Sequence, residues 1–268
     1  QKTAPEFFQA LQRSCKLAFQ SNLESTPSGK LKIGATSSGP NDPGFQKLLP
    51  LYSTPVIEGF QIPHDDNAAM YVHALFALLD KNLGIMEGNF VTLPYRLMET
   101  IAIGGIAMAE DIKRGKLSKQ VADRIGDKAK VAAIEKAMGG PNPRRAKEIR
   151  EALAGENKGL AKRLWPNFKF VLSNASGPAF QQYAHKLQHG GMLDSDNGVV
   201  PIFSTVYAAS EGLMGIALDP KPDGDSLFCL VPRAMFFEFL PVSYDGNKTI
   251  DPPMPVLSED LKLDEDYE

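Results

Sequence analysis

Cysteine is scarce: Cys15 and Cys229 are the only two in 268 residues. Two thiols make no disulfide framework, so a reducing, cytoplasmic setting is the simpler expectation. Histidine is scarce too. His64, His73, His185 and His189 show no spacing of a zinc or similar metal centre, and no Ser-His-Asp or Cys-His set can be assembled around them. Cys15 and Cys229 both lie among apolar neighbours, where an inert thiol is expected. No long apolar run occurs. The stretch from Phe90 to Ala109 comes nearest, and Pro94, Arg96 and Glu99 interrupt it, so no membrane span is expected. Charge of one sign is also missing: 29 Lys and Arg against 32 Asp and Glu leave a net −3, which argues against a general binder of nucleic acid or anionic membrane. What is present, 43% hydrophobic and 23% charged residues, is ordinary for a globular chain, and the length suffices for one large domain or two modest ones with a buried core.

Local patterning gives an alternation of helices and strands. Phe7, Phe8, Leu11, Cys15 and Leu17 recur at roughly helical spacing and predict an amphipathic helix over 5–20. Ser, Gly and Pro make 25–44 a loop, broken by Leu31-Lys32-Ile33. The segment 48–60 offers one or two strands limited by Pro50 and Pro55. Asp65 or Asp66 can cap a helix over 68–81, in which His73 sits on an apolar face as a core histidine. A second helix is expected over 95–113, ending near Gly115, with Gly104-Gly105 as a close-packing signal. From Lys116 to Lys162 the chain turns to Lys, Arg, Glu and Ala. This reads as a helical insertion with breaks at Gly139-Gly140-Pro141 and Gly155, its basic residues Lys128, Lys130, Lys136, Arg144, Arg145, Lys147 and Arg150 forming a solvated face. Strand, helix, strand follows over 168–172, 178–187 and 199–206, an alternation that predicts parallel pairing. The segments 227–231 and 235–240 resemble a hairpin around Pro232-Arg233.

Two stretches carry candidate chemistry. In the first, the β-branched run 199–206 enters Tyr207-Ala208-Ala209-Ser210-Glu211-Gly212. Ala208, Ala209 and Gly212 leave room for close approach, and Tyr207 offers a flat face for a purine. A hydroxyl beside a carboxylate, Ser210-Glu211, suits a hydrated Mg²⁺ carrying phosphates. The same spacing fits a plain strand running into a turn. In the second, Ser37-Ser38-Gly39, with Lys47 after it, can present amides, hydroxyls and one positive charge to phosphate oxygens. An ordinary Ser/Gly/Pro loop has that composition too. Glu238, between Phe237 and Phe239, would face away from its neighbours, toward a cleft or toward water.

These stretches stand in a series. Leu164-Trp165-Pro166-Asn167-Phe168-Lys169-Phe170 comes first, then Ser176-Gly177 and a helix with Gln182-Tyr183. The Tyr207 motif follows, then Gly215-Ile216-Ala217-Leu218-Asp219-Pro220 and Phe236-Phe237-Glu238-Phe239-Leu240-Pro241. In that order they resemble the Gretchen Hagen family of auxin-responsive acyl acid amido synthetases, densely over 160–241 and more thinly back to Ala35. The resemblance implies an α/β fold of layered sheets flanked by helices, like the large domain of adenylate-forming enzymes. That domain would span 1–257, with the helical insertion at about 116–162. The acidic segment 258–268 would lead toward a small C-terminal domain, the chain being a fragment of something longer.

It further implies ATP and Mg²⁺, with Ser37, Ser38, Gly39, Lys47, Ser176, Gly177, Thr205, Tyr207 and Ala208 at the nucleotide. Ser210 and Glu211 would be the catalytic pair, Glu211 holding the metal, and Tyr95 and Arg96 would lie by the acyl acid. The expected partners are a small carboxylic acid, an amino acid and the protein's own C-terminal domain. Two positions depart from the family: Pro40-Asn41-Asp42-Pro43 where it has Thr-Ser-Gly-Gly, and Ala209 where it has serine. Hence three expectations stand: an ATP-dependent acyl acid amido synthetase first, a non-catalytic relative that binds a ligand or partner second, and another adenylate-forming ligase that passes the acyl group to a thiol third.

Overall fold

The computed structural model describes residues 13–17, 24–33, 43–62, 65–155, 158–195, 198–209, 212–219, 227–241, 254–263 and 265–267. The chain divides into two compact units, one of residues 1–205 with 220–226, the other of residues 206–219 with 227–268.

The first unit is an α/β layer. Strand β1 (Ser14–Leu17) is followed by the short hairpin β2 (Glu24–Ser25) and β3 (Lys32–Ile33), then by the helical turns α1 (Pro43–Gln46) and α2 (Ile57–Phe60). Next come helix α3 (Asp66–Leu79), strand β4 (Ile85–Phe90) and the 23-residue helix α4 (Thr92–Arg114). Four helices follow: α5 (Lys119–Ile125), α6 (Lys128–Ala137), α7 (Pro143–Leu153) and α8 (Leu160–Leu164). Strand β5 (Phe170–Asn174), helix α9 (Pro178–His189), the short pair β6 (Asp194–Ser195) and β7 (Gly198–Val199), and strand β8 (Ile202–Phe203) complete the unit. The sheet has the order β1-β4-β5-β8, every pair parallel, as the strand-helix alternation predicts.

Helices α3 and α4 match the sequence reading because their ends are written in local chemistry. Asp65 caps α3, accepting from the amides of Asn67 and Ala68, and Arg124 donates to both its oxygens at 2.6 and 2.7 Å. The Arg124 bonds come first among the causes that hold the Asp65 carboxyl below its usual range. At the other end of α4, Gly115 adopts φ +65° and closes the helix with a left-handed cap. A Cβ there would lie 2.3 Å from the carbonyl carbon of Gly140. Gly115→Ala therefore combines left-handed strain with a backbone clash, and we expect about 2–4 kcal/mol lost in urea unfolding. Gly105 is the packing glycine of its pair: a Cβ would stand 2.6 Å from Leu153 Cδ1 on α7, whereas at Gly104 it would meet only Met108 at 3.7 Å.

The core gathers α3, β1, β4, α4, α7, α8 and β5 around fully buried Trp165 and Phe168. His73 is fully buried, its Nδ1 2.8 Å from the Ala69 carbonyl, and burial pushes it down to about 4. A histidine lowered on folding binds its proton more tightly when unfolded, so its contribution to stability is intact above about pH 6.5. That contribution is lost progressively as pH falls toward 4. We expect roughly 3 kcal/mol of pH-dependent stability over that window, absent in His73→Phe, by urea titration at a series of pH values.

Several expectations are corrected. Residues 14–17 are a strand, not part of a helix: Cys15 and Leu17 are both buried in the parallel sheet, Cys15 pairing beside Met86. The rest of the predicted helix lies outside the described residues. Pro50 opens a 3₁₀ turn and Val56 leads into α2, so 49–60 holds helical turns and no strand among its described residues. Pro201 helps break the run 199–206 into β7, β8 and the start of the second unit's first strand, since proline cannot donate within a ladder. Arg145 leaves the solvated basic face. It is buried, donating to the carbonyls of Leu78 at 2.6 Å and Leu164 at 3.0 Å, with Glu148 at 3.2 Å, while its neighbour Arg144 is 89% exposed.

The second unit is an antiparallel sheet of order β11-β10-β9, with β9 (Val206–Ala209), β10 (Gly212–Asp219) and β11 (Leu227–Leu230). The hairpin expected across Pro232-Arg233 is absent. Strand β11 pairs backward with β10, and Phe239 bridges Val256 instead. Apolar surroundings were expected of both thiols; Cys229 is exposed on β11, whereas Cys15 is buried and its thiol pushed up to about 12.

Candidate functional site

Parallel strands bring their carboxyl ends to one edge, where ligands of open α/β sheets bind. At that edge of the first unit, three segments with predicted site residues emerge: β4 into α4, β5 into α9, and the end of β8. Gly88 governs the first. A Cβ at Gly88 would lie 2.9 Å from Pro94 Cδ, so only glycine lets the first turn of α4 fold back onto its own strand and deliver Tyr95 and Arg96 to the edge. The amide of Val91 donates to the Asn174 carbonyl at 3.1 Å, joining this segment to the end of β5.

The second segment is Asn174-Ala175-Ser176-Gly177. Asn174 Oδ1 accepts the Ser176 amide at 2.8 Å, an Asx turn that ends the strand. Gly177 takes φ +89° as the N-cap of α9, with no capping side chain and, its chain neighbours aside, no atom of the described residues within 4 Å of where a Cβ would stand. Ser176 and Gly177 are exposed. The helix dipole and backbone amides at such a start favour an anion.

Tyr95 and Tyr183 meet edge to face with centroids 5.3 Å apart, and Phe90 stacks on Phe180 at 5.0 Å. The end of β4 and the first turn of α4 thus share with α9 an aromatic seam of half-exposed rings. Tyr95 donates its hydroxyl to Glu99 Oε1 at 3.3 Å; burial, then the Glu99 charge, raises it above the usual tyrosine range. Arg96 donates through Nη2 to Asn67 Oδ1 at 2.5 Å, which uses one of a guanidinium's five N–H donors. Asn67 is itself placed by the Asp65 cap. Thr205, exposed, follows β8 at the same edge. Tyr95, Arg96, Ser176, Gly177 and Thr205 therefore share one end of one sheet.

In the second unit Tyr207 pairs opposite Gly215, where a Cβ would stand 3.6 Å from the Tyr207 Cβ. The Tyr207 ring is 51% exposed, 6.0 Å from that of Phe228, so it presents a face as a purine platform requires. Ala208 pairs with Leu213 and Ala209 with Gly212. Lys47 is exposed in the turn after α1, and Glu238 is exposed between half-buried Phe237 and Phe239. Ser37, Ser38, Gly39, Ser210 and Glu211 lie outside the described residues. Among the described residues no group of three or more His, Cys, Asp and Glu could hold a metal ion.

A cavity of about 830 Å³ opens elsewhere in the first unit. Its lining includes Arg13, Tyr52, Ser53, Phe76, Asp80 and Met138, and Ser53 is tied by its amide to the Ser14 carbonyl at 2.9 Å. Arg13 and Asp80 precede β1 and β4, which puts this cavity at the amino edge of the sheet. No predicted site residue among the described ones lines it.

Sequence reasoning missed Gly88, Asn174 and the Phe90–Phe180 stack. A glycine six residues before a proline, and an Asn closing the largely apolar run Phe170-Val171-Leu172 two residues before Ser-Gly, were the available signals.

The description "GH3 family N-terminal domain" matches residues 3–191. The chain is 31% identical over 210 residues to a 4-substituted benzoates-glutamate ligase, GH3.12, of Arabidopsis thaliana, covering 76% of this chain and 33% of that protein. It is 33% identical over 173 residues to the indole-3-acetic acid-amido synthetase GH3.10 of the same plant, covering 59% of this chain and 27% of that one. The chain thus spans about a third of the length of the curated relatives it matches. The solved structure of the GH3.15 acyl acid amido synthetase superposes with a TM-score of 0.74 at 24% identity, covering 99% of this chain and 45% of that one, which shows the fold. With a family match running from residue 3 to 191 and a layered α/β architecture to accompany it, the chain belongs to the GH3 family.

Proposed function

We propose that the protein is an ATP-dependent acyl acid amido synthetase. A carboxylate oxygen of the acid attacks the α-phosphorus of ATP, pyrophosphate leaves, and the amine of an amino acid then displaces AMP to form the amide. The observation that carries this reading is the shared placement of Tyr95, Arg96, Ser176, Gly177 and Thr205 at the carboxyl edge of the parallel sheet. The names of the relatives, an indole-3-acetic acid-amido synthetase and a benzoate-glutamate ligase, support the same reaction class.

Within this reading the open start of α9 at Gly177 takes phosphate oxygens, with Ser176 and Thr205 as hydroxyl donors. Ser37, Ser38, Gly39 and Lys47 serve the phosphates, and Tyr207 and Ala208 serve the purine. The Tyr95–Tyr183 seam suits an apolar or aromatic acid body, and Arg96 suits its carboxylate, for which a guanidinium fork is the matching donor. Glu211 with Ser210 is assigned to Mg²⁺, which when bound neutralises phosphate oxygens. The amide-forming half of the reaction is assigned to the whole protein.

The test is calorimetry of the full-length protein with Mg-ATP, paired with acid-dependent exchange of labelled pyrophosphate into ATP across a panel of aryl and alkyl acids. Binding with exchange for at least one acid is expected. Nucleotide binding with no exchange for any acid would favour the ligand-binding relative, to which the sequence feature Pro40–Pro43 points, because two prolines remove amide donors from a phosphate loop.

A further inference from the structure

The sequence reading found no metal-ligand spacing among the four histidines, and helix α9 brings two of them, His185 and His189, side by side. It sets the two residues one turn apart with both side chains exposed and their ring centroids 4.7 Å apart. An imidazole nitrogen holds a zinc-like ion at about 2.0–2.1 Å, which puts each ring centroid about 3.2 Å from the ion. Two such rings then stand about 4.5 Å apart for a right-angled nitrogen–metal–nitrogen arrangement and about 5.2 Å apart for a tetrahedral one. The observed separation lies between these values, so the helix already holds the two rings, tilted at 46°, at a chelating distance from each other. The pair also sits in the last turns of α9, where the negative end of the helix dipole favours a cation. The neighbouring cation Lys186 leans over the Tyr183 ring, 5.7 Å from its centroid.

We propose that His185 and His189 form a two-imidazole site for a late first-row divalent ion of the Zn²⁺ or Cu²⁺ type, water completing the coordination. Imidazole selects these ions, whereas the Mg²⁺ of the proposed reaction prefers hard oxygens. An ion bridging His185 and His189 ties together the last turn of the helix that begins at Gly177.

The experiment is calorimetric titration of tag-free protein with ZnCl₂, and separately with CuSO₄, in the presence of excess Mg²⁺. One ion per chain is expected to bind, unaffected by Mg²⁺. His185→Ala or His189→Ala should each weaken binding about a hundredfold, the effective-concentration gain that a second linked contact provides. The Cu²⁺ electron paramagnetic resonance spectrum should show coupling to two nitrogens in the parent and to one in either variant. Alanine is the best helix former and both positions are exposed, so circular dichroism should stay unchanged. His185→Gln and His189→Gln repeat the comparison with side-chain size nearly kept. Absence of binding overturns the proposal, and so does binding of equal strength in the parent and both alanine variants, which would place the ion elsewhere.

Discussion

Glu211→Ala is expected to lower acid-dependent pyrophosphate exchange by the full-length protein by about 10²–10³-fold, the scale on which one preorganised charge-stabilising group acts. The effect is electrostatic. Adenylation crowds a triphosphate against an incoming carboxylate, and the repulsion is relieved by a divalent cation that a protein carboxylate holds in place. Removing the carboxylate loosens the cation while leaving hydroxyl and amide donors intact, so nucleotide affinity falls less than exchange does. Glu211→Gln, with one oxygen retained and no charge, should fall between parent and alanine. Tyr207→Ala is the companion variant. Its 51% exposed ring is assigned to the purine, so its loss should weaken Mg-ATP binding, whereas Tyr207→Phe should preserve it. Exchange at the parental rate in Glu211→Ala would remove the basis for the metal assignment.

Trp165→Ala is expected to produce the largest loss of stability, about 3–5 kcal/mol from packing alone. The indole is fully buried, tilted against Phe168 at 5.6 Å, and its Nε1–H donates to the Ala77 carbonyl at 2.8 Å. Ala77 lies in the last turn of α3, whose final carbonyls have no partner within the helix. Trp165 thus fills the core and also caps a helix from 88 positions away. Arg145 does the same for Leu78. Truncation leaves a buried carbonyl unpaired and adds about 1–3 kcal/mol. Trp165→Phe keeps most of the ring volume and isolates that second contribution. Urea unfolding measures both variants. If Trp165→Ala costs under about 2 kcal/mol, the packing and capping account of this residue is wrong.

Legibility in the sequence followed how local each instruction is. Helices α3 and α4 were readable because Asp65 and Gly115 act within a turn of their own position. The parallel sheet was readable from the alternation of elements. Strand β1 was not, because Cys15 and Leu17 satisfy both a two-residue and a loosely helical period, and the deciding partner β4 is far along the chain. The partner of β11 was misassigned for a similar reason. Pro232-Arg233 is a local turn, but antiparallel pairing was already available on β10. Arg144 and Arg145 are chemically identical neighbours, and only the tertiary position of the Leu78 and Leu164 carbonyls separates the exposed one from the buried one. At the site, the sequence identified Tyr95, Arg96, Ser176, Gly177 and Thr205 singly, and topology brought them to one edge. It overlooked Gly88, whose importance comes from the approach of Pro94 and is visible only once the chain turns back.

The order β1-β4-β5-β8 also sets a schedule for synthesis. Strand β4 leaves the ribosome well before β5, because five helices, α4 through α8, are strung between them. Until β5 emerges, the apolar Ile85 and Met86 of β4 have one flank without their eventual neighbour, while the intervening helices can form on their own local signals. Closing so long a loop before parallel pairing is intrinsically slow. Nascent chains halted between Leu164 and Asn174 should accordingly be the ones that engage chaperones most, and release past Phe203 should end that engagement.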